Sequence, residues 1–284
     1  MKTVVFQGMP GAYSEQAAKK FFTKSYKTIP KKDFRSAFIA VERGDVDFGI
    51  IPIENSMAGS IHENYDWLRK KKVKIVGEIV LKVKHHLLAK PGAKISSIKK
   101  VYSHPQALAQ CQSYLRRLKG VEPISYFDTA GSARFIESQD SLEVASIASA
   151  EAAKVYGLKV LESGVEDHVE NYTRFLALAS LDYSPSYKIK SRSKYKTSIV
   201  FALKNIPGCL HKCLSVFAIR DIDLTKIESR PLPGSTWQYL FYVDLAGYVE
   251  EEKISNSLKH LQEITKFFKL LGSYQEAKSV YVPN

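Results

Sequence analysis

Apolar residues along this chain follow two rhythms. Short unbroken or alternating runs take turns with stretches in which apolar residues recur every three to four positions, and this continues for about 180 residues. KTVVFQG (residues 2–8) predicts a buried strand. Pro10 and Gly11 turn the chain, and Ser14 is placed to cap a helix running through Phe22, with Glu15 well sited in its first turn. Phe34, Ala37, Phe38 and Val41 share one helical face, and Gly44 suits the exit. DFGIIPI reads as a strand, ENSMAGS as a turn and IHENYDWLRKK as a helix, while VKIVGEIVLKV alternates like one long strand or a strand pair. KVYS precedes a helix over HPQALAQCQSYLRRL, with Pro105 near its first position. EPISYF and EVASIAS predict strands, each followed by a helix, DTAGSARFIES and AEAAKVYG. FLALAS has the continuous apolar character of a strand covered on both faces. The expected core is an α/β sheet with helices on both sides.

The pattern breaks over residues 181–195, which are polar and basic, contain Pro185 and show no period. A boundary is expected there, dividing residues 1–180 from 196–277. The second unit reads strand (KTSIVFALK), helix (GCLHKCLSVFAIRD), two strands (DLTKIESRP, TWQYLFYVDL), helix (residues 250–272) and a last strand near SYQEA, the βαββαβ order of a ferredoxin-like sandwich.

A length of 284 residues suits two domains or three small lobes, and 45% hydrophobic with 25% charged residues is the balance of a globular chain. No run is apolar enough to span a bilayer and the first residues lack a signal peptide's apolar segment, so a cytoplasmic protein without membrane contact is expected. Three cysteines exclude a disulfide framework; Cys209 and Cys213 share a helical face without a zinc set around them and read as core. The net charge of +13 raises nucleic-acid binding, but the lysines are dispersed and no binding motif accompanies them, so no nucleic-acid partner is expected. Such a field does attract small anions.

Four strand-to-helix turns, GMPGAYSE, ENSMAGS, SHPQ and DTAGSA, are rich in Ser, Thr, Asn and Gly. An open α/β sheet gathers such turns at one edge, where helix N-termini meet anions. Capping alone explains any one of them. Thr173 and Arg174 differ because they precede a strand: at the cleft edge, Arg174 could hold a carboxylate in two-point contact, with the Thr173 hydroxyl beside it. No catalytic-triad order, phosphate-binding glycine loop or metal-ligand spacing is present. His85 and His86 lie within a strand pattern, where at least one is structural.

The segments GMPGAYSE, PIENSMAGSI, SHPQALAQC, DTAGSA and NYTRF, in this order, resemble the prephenate dehydratases, and IPGCL and ESRP resemble the two phenylalanine-contact motifs of ACT regulatory domains. The resemblance covers nearly the whole chain. It implies a monofunctional enzyme with a two-lobed catalytic domain like the lobes of type II periplasmic binding proteins, followed by the ACT domain. The implied reaction is decarboxylating dehydration of prephenate to phenylpyruvate in phenylalanine synthesis, without cofactor or metal. It implies Thr173 as the essential hydroxyl, with His104 the competing proton donor and Arg174 the carboxylate anchor. Asn55, Ser56, Ser60, Gln106 and Thr129 position the substrate, and Phe175 packs behind it. Feedback by L-phenylalanine would use Asn205, Pro207, Gly208, Cys209 and Leu210 on one side and Glu228, Ser229 and Arg230 on the other, in a homodimer or dimer of dimers. Cys209 stands where a small aliphatic residue is usual. Three rivals are open: an arogenate dehydratase, for whose ammonium Glu54 or Asp128 lies in a suitable turn; a non-catalytic amino-acid sensor, which has no use for Thr173; and, on charge alone, a DNA-binding regulator.

Overall fold

The structure is a computed structural model describing residues 1–22, 26–184, 194–204, 206–235, 238–277 and 280–281. A first lobe holds β1 (Lys2–Gln7), α1 (Tyr13–Phe22), β2 (Tyr26–Lys31), α2 (Phe34–Arg43), β3 (Phe48–Asn55), the short β4 (Gly59–Ser60), α3 (His62–Lys70) and β5 (Val73–Lys82). The chain crosses to a second lobe of β6 (His86–Ala89), β7 (Lys100–Ser103), α4 (Pro105–Gln110), α5 (Gln112–Arg117), β8 (Glu122–Ser125), α6 (Thr129–Glu137), β9 (Val144–Ala148), α7 (Ala150–Val155) and β10 (Lys159–Ser163). It returns to the first lobe as β11 (Tyr172–Ser180). A third unit follows: β12 (Tyr195–Ala202), α8 (Cys209–Ala218), β13 (Leu224–Pro231), β14 (Tyr239–Ala246), α9 (Glu252–Ile264) and β15 (Phe267–Gln275); β16 (Val280–Tyr281) ends on the first sheet beside β5.

The first sheet runs β16-β5-β11-β3-β1-β2, with β11 antiparallel to both β3 and β5. The second runs β10-β6-β9-β7-β8, mixing parallel and antiparallel pairs. The third is wholly antiparallel in the order β13-β14-β12-β15, a βαββαβ sandwich. The expected α/β sheet of the first lobe is mixed, because the returning strand enters between β3 and β5 from the opposite direction.

Local readings shift where tertiary pairing overrides pattern. Ser14 lies inside α1, and its capping role falls to Glu15, whose carboxylate reaches back to the Gly11 N–H at 2.7 Å. The helix expected over residues 104–118 breaks at Cys111, whose φ of −118° leaves two short helices. Residues 267–272, read as the end of a helix, belong to β15. The apolar face of α9 is used up by Ile254, Leu258 and Leu261, and the next residues pair with β12 instead.

Two apolar layers fix the site. One lies between the first sheet, α1 and the second lobe, where Phe6, Phe175 and Ala177 pack with Ala133, Ile136 and Ala152. Gly11 allows this close approach: a Cβ there would sit 2.7 Å from the Ala152 backbone, and its φ of +88° suits glycine. The other layer lies on the opposite face of the first sheet, where Leu176 and Leu178 pack with Phe38 and, across the unit boundary, Val200, Tyr242 and Leu271. Among the described residues no helix is long and apolar enough to cross a membrane.

Candidate active site

A cleft opens between the two lobes, walled by four chain turns and the crossover strands. The β1–α1 turn supplies Tyr13 and Ser14, the end of β3 supplies Asn55, and the start of β11 supplies Thr173. From the second lobe, the β7–α4 turn supplies His104, Gln106 and, one turn on, Gln110, and the β8–α6 turn supplies Asp128 and Thr129. His85 enters from the outgoing crossover. Of the residues expected from sequence, Asn55, Gln106, His104, Thr129 and Thr173 meet here.

Thr173 is 8% exposed, registers with Asn55 on β3 and faces the cleft. Its Oγ1 accepts a hydrogen bond from Asn55 Nδ2 at 3.0 Å. Successive strand residues face opposite ways, so Arg174 must point to the other side of the sheet. It does: its Nε and Nη2 reach Glu78 Oε2, each at 2.7 Å, and its Nη1 reaches Asp244 Oδ2 in the third unit at 2.7 Å. The expected carboxylate anchor is thus a buried strut between units. Phe175, 1% exposed, packs behind the cleft in the inter-lobe layer without lining it. Two further expectations move for similar reasons. Ser56 is exposed and pins its turn to β11, accepting from the Tyr172 N–H at 2.9 Å and donating to Glu170 O. Ser60 faces the third unit, donating to Glu228 Oε2 at 2.8 Å.

His104 caps α4: its Nδ1 accepts from the Gln106 N–H at 3.2 Å. Burial lowers its pKa from the ordinary histidine value, against a weaker upward pull from Asp128. Near neutral pH it is therefore the neutral Nε2–H form, a hydrogen-bond donor and a poor acid. Asp128 caps α6, accepting the Gly131 N–H on Oδ1, while its Oδ2 is buried without a partner at the cleft wall. Burial raises its pKa, opposed by the Gly131 N–H and His104. Among the described residues neither Arg nor Lys lines this cleft. Glu54, the other carboxylate considered for an ammonium, is turned away and pairs with Lys226 at 2.9 Å. Sequence reasoning missed Tyr13, Ser14, Gln110 and Asn171. Each lies within a segment that carries the family resemblance (GMPGAYSE, SHPQALAQC, NYTRF), but in sequence each reads as a helix or loop residue, and proximity in the fold singles it out.

A second hollow lies in the third unit, lined by Gly208, Cys209 and Leu210 at the start of α8 together with Leu203, Tyr239 and Phe241. Pro207 is exposed beside it, and Asn205 lies outside the described residues. β13 alternates as well. Ser229 registers with Phe241 on the hollow's side, whereas Glu228 and Arg230 face the first lobe, reaching His62 at 3.1 Å and Asp66 at 3.4 Å. These two do not join the hollow.

A family model described as prephenate dehydratase matches residues 4–182. The chloroplastic arogenate dehydratase/prephenate dehydratase 2 of Arabidopsis thaliana is 45% identical over 280 residues, 95% of this chain and 72% of that protein. The solved prephenate dehydratase of Arthrobacter aurescens in complex with L-Phe is 28% identical, with a TM-score of 0.86 over 96% of this chain and 89% of that one. GqqA, described as a novel type of quorum quenching acylase, is 31% identical, with a TM-score of 0.87 over 98% and 99% of the two chains.

Proposed function

Because the chain belongs to the prephenate dehydratase family, we propose that the inter-lobe cleft is where prephenate becomes phenylpyruvate, carbon dioxide and water. The enzyme is a hydro-lyase. In the reaction the bond to the ring carboxylate breaks, its electron pair enters the ring, and the ring hydroxyl leaves with its own pair and takes up one proton. Aromatisation drives the step, so the protein's task is to hold a dianion and serve the departing oxygen.

The observation that carries this placement is the polarity at Thr173. Its oxygen already accepts from Asn55, so its hydrogen is left to point into the cleft. We assign Thr173 as the donor to the leaving oxygen, acting by orientation in a site shielded from water. Asp128 is the proton source in this reading. Its carboxyl is already shifted toward the protonated form, and a dianion entering a cleft without a cation pushes it further the same way. His104 donates through Nε2–H without giving up its proton. Ser14, Gln106 and Thr129, with the positive ends of α1 and α6, meet the carboxylates. An acyl-transfer reading lacks support, because the partner of Thr173 Oγ1 is a donor, not a base. The test is phenylpyruvate formation from prephenate, followed by its absorbance in base. Thr173→Ala should lose roughly 100- to 1,000-fold in kcat with folding intact; near-normal turnover would remove Thr173 from the mechanism.

Asp128 also favours a second substrate. As a carboxylate it would pair with the ammonium of arogenate, so arogenate belongs in the same assay.

We further propose that residues 1–180 form the catalytic domain, 181–195 the linker and 196–277 an ACT regulatory domain. The hollow at Gly208, Cys209 and Leu210, with Ser229 on the same face of the sheet beside Phe241, would take L-phenylalanine. It is open on one side and bordered by exposed Ile206 and Tyr239, which suits completion by a second copy in a homodimer or dimer of dimers. β13 has its other face against the turn that follows Asn55, through Glu228, Ser60 and His62, so ligand binding on one face has a direct route to the cleft on the other. Three free, buried cysteines accord with a reducing compartment such as the cytoplasm.

A further inference from the structure

Asn55 is one end of a side-chain relay that crosses both lobes. Its Oδ1 accepts from the Met57 and Ala58 N–H groups at 3.0 and 2.9 Å. Backbone N–H groups only donate, so the amide cannot turn over, and Nδ2 must face Asn171 Oδ1 (2.7 Å), Thr173 Oγ1 (3.0 Å) and Tyr172 O (3.1 Å). Asn171, 1% exposed, is oriented in turn: its Oδ1 accepts from Asn55, and its Nδ2 donates to Gln110 Oε1 at 3.0 Å. Gln110 Oε1, being an acceptor, requires a hydrogen on His85 Nε2, 3.1 Å away. Burial drives the His85 pKa down to about 4, so the ring is neutral near pH 7 and its Nδ1 carries no hydrogen; it lies 3.2 Å from Tyr13 Oη, whose one hydrogen goes to Lys84 O at 2.6 Å. Two backbone N–H groups beside Asn55 thereby fix the direction of every hydrogen bond as far as the crossover histidine.

We propose that Asn171 and Gln110 are positioning residues for the dehydration: with the Asn55 amide already oriented by the backbone, the relay they form between Asn55 and His85 holds the Asn55 side chain in place against Thr173, which leaves the Thr173 hydrogen toward the cleft. Asn171 lies on the return crossover and Gln110 on α4 of the second lobe. Asn171 does not itself line the cleft and acts through Asn55 and Gln110, which do.

The inference rests on the dehydratase reading for its kinetic arm and is independent of it for its spectroscopic arm. In the first arm, the full-length protein is labelled with 15N and the His85 ring nitrogens are assigned at pH 7. The neutral Nε2–H tautomer is expected, and an Nδ1–H tautomer or an imidazolium overturns the relay's direction. In the second, Asn171→Leu and Asn171→Asp are compared with the wild type on prephenate. Leucine is close in size and removes the side-chain acceptor that holds Asn55 beside Thr173, leaving Nδ2 free to turn to Tyr172 O, so kcat should fall roughly 10- to 100-fold with KM little changed. Aspartate keeps that acceptor in either protonation state and should restore kcat to within about threefold of wild type, a difference of at most about 0.7 kcal/mol in the barrier. Unchanged turnover in the leucine variant, or equal losses in both, would reduce Asn171 to a packing residue. A wild-type protein inert on both prephenate and arogenate would remove the dehydratase reading and leave the tautomer result standing by itself.

Discussion

Thr173 and Arg174 are adjacent in the chain and serve opposite sides of one sheet. Their roles separate at the residue scale through hydrogen-bond direction and charge. A hydroxyl donates usefully only when its oxygen is engaged and its hydrogen has no competing acceptor, and Asn55 creates that condition at Thr173. Asp128 shows the companion effect, a carboxylate whose burial favours the neutral acid. If Asp128 supplies the proton, Asp128→Asn should lower kcat on prephenate about 100-fold, within the usual range for an acid catalyst. It should also erase the alkaline fall of the kcat profile that Asp128 produces, which a pH–rate comparison of the two proteins would read. His85 makes a stability prediction. Its pKa is about 4 when folded and 6.5 when exposed, so the unfolded chain binds the extra proton and stability is lost as pH falls from 6.5 toward 4. Going from pH 7 to pH 5 should remove about 2 kcal/mol on this account. Urea titrations of the wild type and of His85→Gln at both pH values would check it, the variant lacking that difference.

At the scale of the element, β11 is the informative strand. FLALAS is recognisable as a buried run because both of its faces are covered, one by the inter-lobe layer and one by the third unit. Strand alternation then gives Thr173 and Phe175 one face and Arg174 the other. The same period divides Ser229 from Glu228 and Arg230 on β13. Motif adjacency had grouped all of these as ligand contacts; period two, applied to the right faces, separates them. Arg174 is enclosed by Glu78, Asp244 and Tyr274 Oη, the last at 3.1 Å, and Lys196 shares Glu78 at 3.0 Å. Arg174→Ala would leave two buried carboxylates short of their cation. We expect a loss of about 3–5 kcal/mol in unfolding free energy, measured by chemical denaturation, with substrate KM moved far less than the carboxylate-anchor role would require. A large KM rise without destabilisation would restore that role.

At the scale of the whole molecule, the third unit is packed on the back of the sheet that carries the cleft residues. β15 lies against β5 so closely that a Cβ on Gly272 would stand 2.2 Å from the Ile75 carbonyl oxygen. Gly272→Ala should therefore loosen the unit from the first lobe. We expect a lower midpoint, and a second transition in calorimetry as the two parts melt separately. L-phenylalanine should raise the transition of the wild type through the hollow beside α8, and Leu210→Asp should abolish that rise. Light scattering with and without L-phenylalanine would test the paired site. A monomer whose melting ignores the amino acid would overturn that part of the proposal.

Sequence by itself determined the alternation of strand and helix, the βαββαβ order of the last unit and the identity of the turns that carry polar groups, because local periodicity and turn chemistry are written within a few residues of each other. It also determined the family, through five short motifs in fixed order. Tertiary structure alone decided that β11 enters antiparallel between β3 and β5, that residues 267–272 pair as a strand, and that Arg174, Ser60, Glu228 and Arg230 serve the contact between units. Those outcomes depend on which face of a strand meets which neighbour across the fold. The same is true of the relay from His85 to Thr173: its members come from two lobes and both crossovers, and the direction of their hydrogen bonds is set by backbone N–H groups that a sequence cannot aim.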